Sequence, residues 1–137
     1  MNETVLKGRV EHGRAVGRTL GTPTLNFDAK PEGLDYGVYL GWTRLCVEEN
    51  GDEGGALGEQ KKYSSIAHWG PRPTFDEIEP LLEVHVLDFS DELYGKEVSF
   101  EFLKKIREVQ SFENPEALKG QIQKDIRMAR EFFARFT

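Results

Sequence analysis

The sequence predicts a small antiparallel β-barrel closed by one C-terminal helix, and three observations carry that prediction. Short β-prone runs follow one another along most of the chain, glycines punctuate them, and a helical period appears only in the last segment. The runs are Val5–Val10, Gly37–Val47, Tyr63–Trp69, Leu81–Phe89 and Val98–Leu103. In the last of these, Val98, Phe100 and Phe102 alternate strictly and share one face. Five or six short strands without helices between them imply a sandwich or a barrel. Between the second and third runs, Glu48–Lys61 holds four glycines and five acids and reads as a solvated loop.

The C-terminal segment changes period. Asn114 suits a helix N-cap, Pro115 its first turn, and Glu116 the positive end of the helix dipole. Leu118, Ile122, Ile126, Ala129, Phe133 and Phe136 then recur at steps of 4, 4, 3, 4 and 3, giving one apolar stripe to lay on the sheet.

With 137 residues, the chain is expected to form one domain over 1–137. Eighteen Lys+Arg against 24 Asp+Glu leave a formal charge of −6, which argues against binding nucleic acid or an anionic membrane by phosphate attraction. Cys46 is the single cysteine, so no intrachain disulfide forms and a reducing compartment fits. No apolar run approaches the roughly 18 residues of a membrane span, and Met1-Asn2-Glu3-Thr4 does not open a signal peptide. The expectation is a soluble, cytoplasmic protein; no second apolar face asks for a dimer, so a monomer is expected.

Three stretches could carry chemistry. In Gly13–Gly21, three glycines in nine residues with Arg14 and Arg18 suit backbone N–H groups drawn close to an anion, or simply an irregular loop. No Gly-Lys-Ser/Thr follows, so this is not a Walker loop. In Pro23-Thr24-Leu25-Asn26, an extended backbone puts Thr24 and Asn26 on one side. A hydroxyl and an amide oxygen there are hard, neutral ligands for a phosphate-bound Mg²⁺, or a polar strand edge. In Leu81–Phe89, Leu82, Val84 and Val86 share one face while Glu83 and His85 share the other with Leu81, Leu87 and Phe89. A half-buried carboxylate in that setting can accept a proton from a substrate hydroxyl, or pair with an arginine. His12, His68 and His85 lack metal-ligand spacing, so a zinc site is not expected.

Taken together, these stretches resemble the riboflavin kinase (flavokinase) family over nearly the whole chain. The resemblance rests on Gly8-x-Val10-x-x-Gly13, Gly17-Arg18-x-Leu20-Gly21-x-Pro23-Thr24-x-Asn26, Gly37-Val38-Tyr39, Gly70-x-Arg72-Pro73-Thr74-Phe75 and Glu83-Val84-His85. Asp88-Phe89, Leu93-Tyr94-Gly95, Ile106-Arg107 and Phe112 complete it. It implies a mainly β fold, a six-stranded antiparallel Greek-key barrel with the C-terminal helix packed on it. It also implies transfer of the ATP γ-phosphoryl group to the ribityl 5′-hydroxyl of riboflavin, giving FMN and ADP, with Mg²⁺. By that resemblance Glu83 is the catalytic base, and Gly13, Gly17, Arg18, Gly21, Thr24, Leu93 and Tyr94 contact ATP. Thr24 and Asn26 would hold the metal; Arg107 and Phe112 would sit on the flavin side, with Arg107 also close to the phosphates.

There are two departures from the family pattern. Leu25 stands where the motif usually has alanine, and His68-Trp69 stand where bacterial members usually have Asn-Ile. His68 could touch a ligand or simply be packed. Other readings are a kinase module of a bifunctional FAD synthetase and a catalytically silent flavin- or nucleotide-binding barrel. Thr24, Asn26, Glu83 and Arg107 together count against the silent barrel, because a binding module has no need of a base.

Overall fold

The computed structural model of the chain describes residues 4–11, 25–45, 62–72, 77–87 and 97–136. Six strands run in chain order: β1 (Thr4–Glu11), β2 (Leu25–Phe27), β3 (Gly37–Leu45), β4 (Lys62–Arg72), β5 (Glu77–Val86) and β6 (Glu97–Arg107). They pair antiparallel in the spatial order β1-β2-β5-β4-β3-β6, and β6 returns to β1, closing the barrel. The β3-β4-β5 meander is flanked by connections that jump strands, from β2 to β3 and from β5 to β6, as in a Greek key. The helix α1 (Pro115–Phe133) follows, then a single 3₁₀ turn (Ala134–Phe136). Among the described residues no helix is long and apolar enough to cross a membrane.

Alternation decides what fills the barrel. Val98, Phe100 and Phe102 of β6 point inward with Leu82, Val84 and Val86 of β5, Ala67 and Trp69 of β4, Tyr39, Val10 and Phe27. Phe100 is wholly buried. It fits because β3 has no side chain at Gly41, where a Cβ would strike the Phe100 ring and the Glu101 carbonyl oxygen. Thr43 and Ser65, also buried, satisfy each other through a 2.8 Å hydroxyl–hydroxyl bond. The Trp69 indole donates to the Leu34 carbonyl at 2.9 Å.

A second apolar layer lies outside the barrel. Val38, Leu40 and Trp42, the outward residues of β3, meet Ile66, Leu103, Ile106, Leu87 and the α1 residues Ile126, Ala129, Phe132 and Phe133. The helix starts as its sequence predicts: the Asn114 side chain accepts from the Ala117 N–H at 2.9 Å, and Pro115 fills the first turn. Its stripe ends differently. Phe136 falls in the 3₁₀ turn and stays 56% exposed, although its ring meets Trp42 at 5.8 Å. Asp125, a carboxylate, occupies the buried side instead.

Strict alternation stops after Phe102 because β6 shifts register twice against β3, between Val38 and Tyr39 and between Leu40 and Gly41. The strand runs on to Arg107, four residues beyond the alternating stretch, and Leu103 and Ile106 join the layer under the helix. β5 likewise begins at Glu77, ahead of its sequence pattern, with Pro80 inside it. The β4–β5 pairing is irregular between Gly70 and Arg72, beside Pro71, which is where a strand tolerates proline. Gly70 has φ +140°, open to glycine alone, and Tyr36 and Val109 pack where a Cβ would stand.

Candidate active site

One row of cross-strand partners circles the barrel through the residues that matter. Glu11 pairs with Asn26, Asn26 with Glu83, Glu83 with His68, His68 with Val38, and Val38 with Arg107. Directly opposed residues share a face of the sheet. The neighbours Phe27, Leu82, Val84, Ala67 and Trp69 point into the barrel, so Asn26, Glu83 and His68 point out. Along this row the outer face changes character, from polar at Asn26, Glu83 and His68 to apolar at Val38, which lies under the helix.

Glu83 is the chemically notable member. It is only 8% exposed although it lies on the outer face, and an amide side chain and an imidazole flank it across the neighbouring strands. A carboxylate can accept a proton from a hydroxyl brought beside it. Asn26, half-buried on the two-sided short strand β2, offers a neutral amide oxygen next to it. Among the described residues no three His, Cys, Asp or Glu side chains converge as a metal cage. The amide oxygen of Asn26 is a hard, neutral donor of the kind that suits a cation also held by phosphate oxygens and water.

At the far end of the row, Arg107 is fixed in detail. Its Nε donates to Asp125 Oδ1 at 3.0 Å and Oδ2 at 3.2 Å, and Nη2 donates to Oδ2 at 2.8 Å. Nη1 donates to the Glu108 carbonyl at 3.2 Å and to Gln110 Oε1 at 3.4 Å. Gln121, one turn before Asp125 on α1, donates to Asp125 Oδ1 at 3.0 Å. The Phe112 ring centre lies 6.0 Å from the guanidinium carbon, so the two expected flavin-side residues do come together. Nearby, a hydrogen bond to Glu108 holds the Lys105 ammonium pKa above its usual value.

Of the residues singled out in the sequence, Glu83, Asn26, Arg107 and Phe112 are placed, as is His68. Gly13, Gly17, Arg18, Gly21, Thr24, Leu93 and Tyr94 lie outside the described residues, as do Cys46, His12 and the loop Glu48–Lys61. Asp125 and Gln121 carry no mark in the motif reading. The available signal was a carboxylate set into an apolar helix stripe, four residues before Ala129.

Comparison with known proteins decides the family. The flavokinase (riboflavin kinase) family matches residues 1–133. The chain belongs to the riboflavin kinase family. It is 41% identical over 129 residues to the bifunctional riboflavin kinase/FMN adenylyltransferase of Escherichia coli, covering 93% of this chain and 37% of that protein. It is 35% identical over 126 residues to the RNA-binding riboflavin kinase RibR of Bacillus subtilis, covering 90% of this chain and 48% of that one. The chain thus spans less than half the length of these curated relatives. The crystal structure of riboflavin kinase from Trypanosoma brucei superposes with a TM-score of 0.65 at 24% identity, covering 98% of this chain and 82% of that one. That likeness carries the fold: the riboflavin kinase barrel with its C-terminal helix is the architecture found here.

Proposed function

We propose that this chain transfers the γ-phosphoryl group of ATP to the ribityl 5′-hydroxyl of riboflavin, giving FMN and ADP. The observation that carries the reading is the direct pairing of Asn26 with the buried Glu83 on the outer face of a riboflavin kinase family barrel. Phosphoryl transfer asks for little covalent chemistry and much positioning, so a few fixed groups suffice.

Glu83 accepts a hydrogen bond from the 5′-hydroxyl, aims its oxygen at the γ-phosphorus and takes its proton. The new O–P bond forms as the bond to the β,γ-bridging oxygen breaks, and ADP departs. Asn26, with Thr24 from the same motif, would hold Mg²⁺ against the phosphates, where it would neutralise charge on the transferring group. Gly13, Gly17, Arg18 and Gly21 would wrap the phosphates, Leu93 and Tyr94 would line the nucleotide, and Arg107 and Phe112 would meet the flavin. We assign the reaction to residues 1–137 acting as one domain, a cytoplasmic monomer that needs no nucleic acid and no membrane.

The test is incubation with riboflavin, ATP and Mg²⁺ followed by chromatography. FMN and ADP in equal amounts are expected; a folded protein that makes no FMN overturns the reading.

A further inference from the structure

We infer that Asp125 is a positioning residue for the flavin side of this site, acting through Arg107. The inference rests on the riboflavin kinase reading. Asp125 lies on the barrel-facing side of α1, its side chain only 4% exposed, among Ile126, Ala129 and Phe133 of the apolar layer. A carboxylate is costly to bury there, and an apolar pair of similar volume would hold helix to barrel at least as well. What the ion pair adds is geometry. It grips one edge of the guanidinium through two donors, Nε and Nη2, and leaves Nη1 for the Glu108 carbonyl and the Gln110 side chain. Arg107 therefore ties three parts together: the end of β6, helix α1, and the segment 108–110 that leads to Phe112.

The pair also sets what Arg107 can recognise. With a carboxylate at 2.8 Å, its charge is matched on the protein side, and most of its donors are engaged. Such a group is poorly suited to holding a polyphosphate. It presents a flat, neutralised surface beside an aromatic ring, which suits a planar heteroaromatic ligand. Asp125 thus orients Arg107 towards the flavin side of the site.

The experiment compares Asp125→Asn with the unaltered protein in steady-state kinetics and in riboflavin binding followed by flavin fluorescence, with thermal unfolding recorded alongside. The expected result is a rise in the riboflavin KM and Kd of about tenfold or more, with kcat and the ATP KM within about threefold. In an Arg107→Met background the same substitution should add nothing further, because its effect runs through the arginine. Unchanged riboflavin affinity, a selective rise in the ATP KM, or additive effects in the double variant would overturn the inference. Should Asp125→Asn not fold, Gln121→Leu removes the hydrogen bond that steadies Asp125 while keeping the ion pair. A rise of about threefold in riboflavin Kd is expected there, and none would overturn the inference. If the unaltered protein binds riboflavin but makes no FMN, the kinase reading falls, while the binding arm still decides the role of Asp125.

Discussion

The outer face of the barrel is used in two ways. Where α1 covers it, the outward residues are Val38, Leu40, Trp42 and Ile66, packed on Ala129 and Phe133. Further along the same row of cross-strand partners, the face presents His68, Glu83 and Asn26. Both halves hang on antiparallel pairs of one barrel, so strand direction does not distinguish them. The difference lies in what each half is matched to. The covered half is complementary to a piece of this chain, and its apolar content stabilises the fold. The polar half holds a shielded carboxylate that stability alone does not require, and that is where a substrate can be served. Among the described residues the barrel interior is filled by side chains such as Phe100, Leu82 and Trp69, and the candidate site residues stand on its outside.

Substitutions in the two halves should therefore fail differently. The largest effect is expected from Phe133→Ala, which empties the centre of the covered half, where Phe133 meets Trp42 at 4.7 Å. A loss of about 3–5 kcal/mol is expected, read by denaturant unfolding, with turnover per folded molecule little changed at low temperature. Glu83→Gln should do the reverse. Turnover should fall roughly 10²-fold, with an unfolding midpoint and riboflavin affinity close to the original; normal turnover would remove Glu83 from the reaction. Asn26→Ala should cost about tenfold in activity, concentrated in the dependence on Mg²⁺ and ATP, and an unchanged Mg²⁺ titration would make the amide merely structural.

How much of this contrast was readable in the sequence depends on periodicity. Val98-Phe100-Phe102 and Leu82-Val84-Val86 alternate without interruption, and their inward faces could be assigned from residue type alone. Beyond Phe102 the two register shifts break the period, and the last third of β6, with the outward setting of Arg107, has no pattern to read. Glu83 was recognisable as an ionisable group on an otherwise apolar face. That it stands beside Asn26, fifty-seven positions away, follows only from strand order, because β2 pairs with β5 across two skipped strands. Asp125 was hidden for another reason: a lone acid in a helix resembles any solvated residue until its partner is located.

Two smaller effects sharpen the comparison. Gly120 lies on the open side of α1, and a Cβ there would meet nothing within 4 Å. Gly120→Ala should stabilise the helix, and through it the covered half, by about 0.5–1 kcal/mol, seen as a higher unfolding temperature. A destabilised variant would mean that this side of the helix is occupied. The smallest concerns the barrel interior. Burial raises the Tyr39 phenol above its ordinary pKa, and its hydroxyl donates to the Asp35 carbonyl at 2.7 Å. A raised folded-state value means that ionisation favours the unfolded chain. The contribution is intact below about pH 10 and is lost as pH rises through the folded value. Tyr39→Phe should therefore flatten the alkaline fall in stability; an unchanged alkaline limb would assign it to other groups.

Closure of the barrel has a kinetic consequence. The seam is the β1–β6 pairing, which sets Thr4 against Phe102 and Gly8 against Val98, contacts between opposite ends of the strand sequence. Contacts so distant along the chain are entropically expensive to form early, so barrels closed this way fold slowly compared with helical proteins. The row from Asn26 to Arg107 needs β2, β5, β4, β3 and β6 all in register, and Arg107 needs α1 docked as well. The row from Asn26 to Arg107 is thus complete only once the whole barrel is in register, so on the proposed kinase reading turnover is gained late in folding.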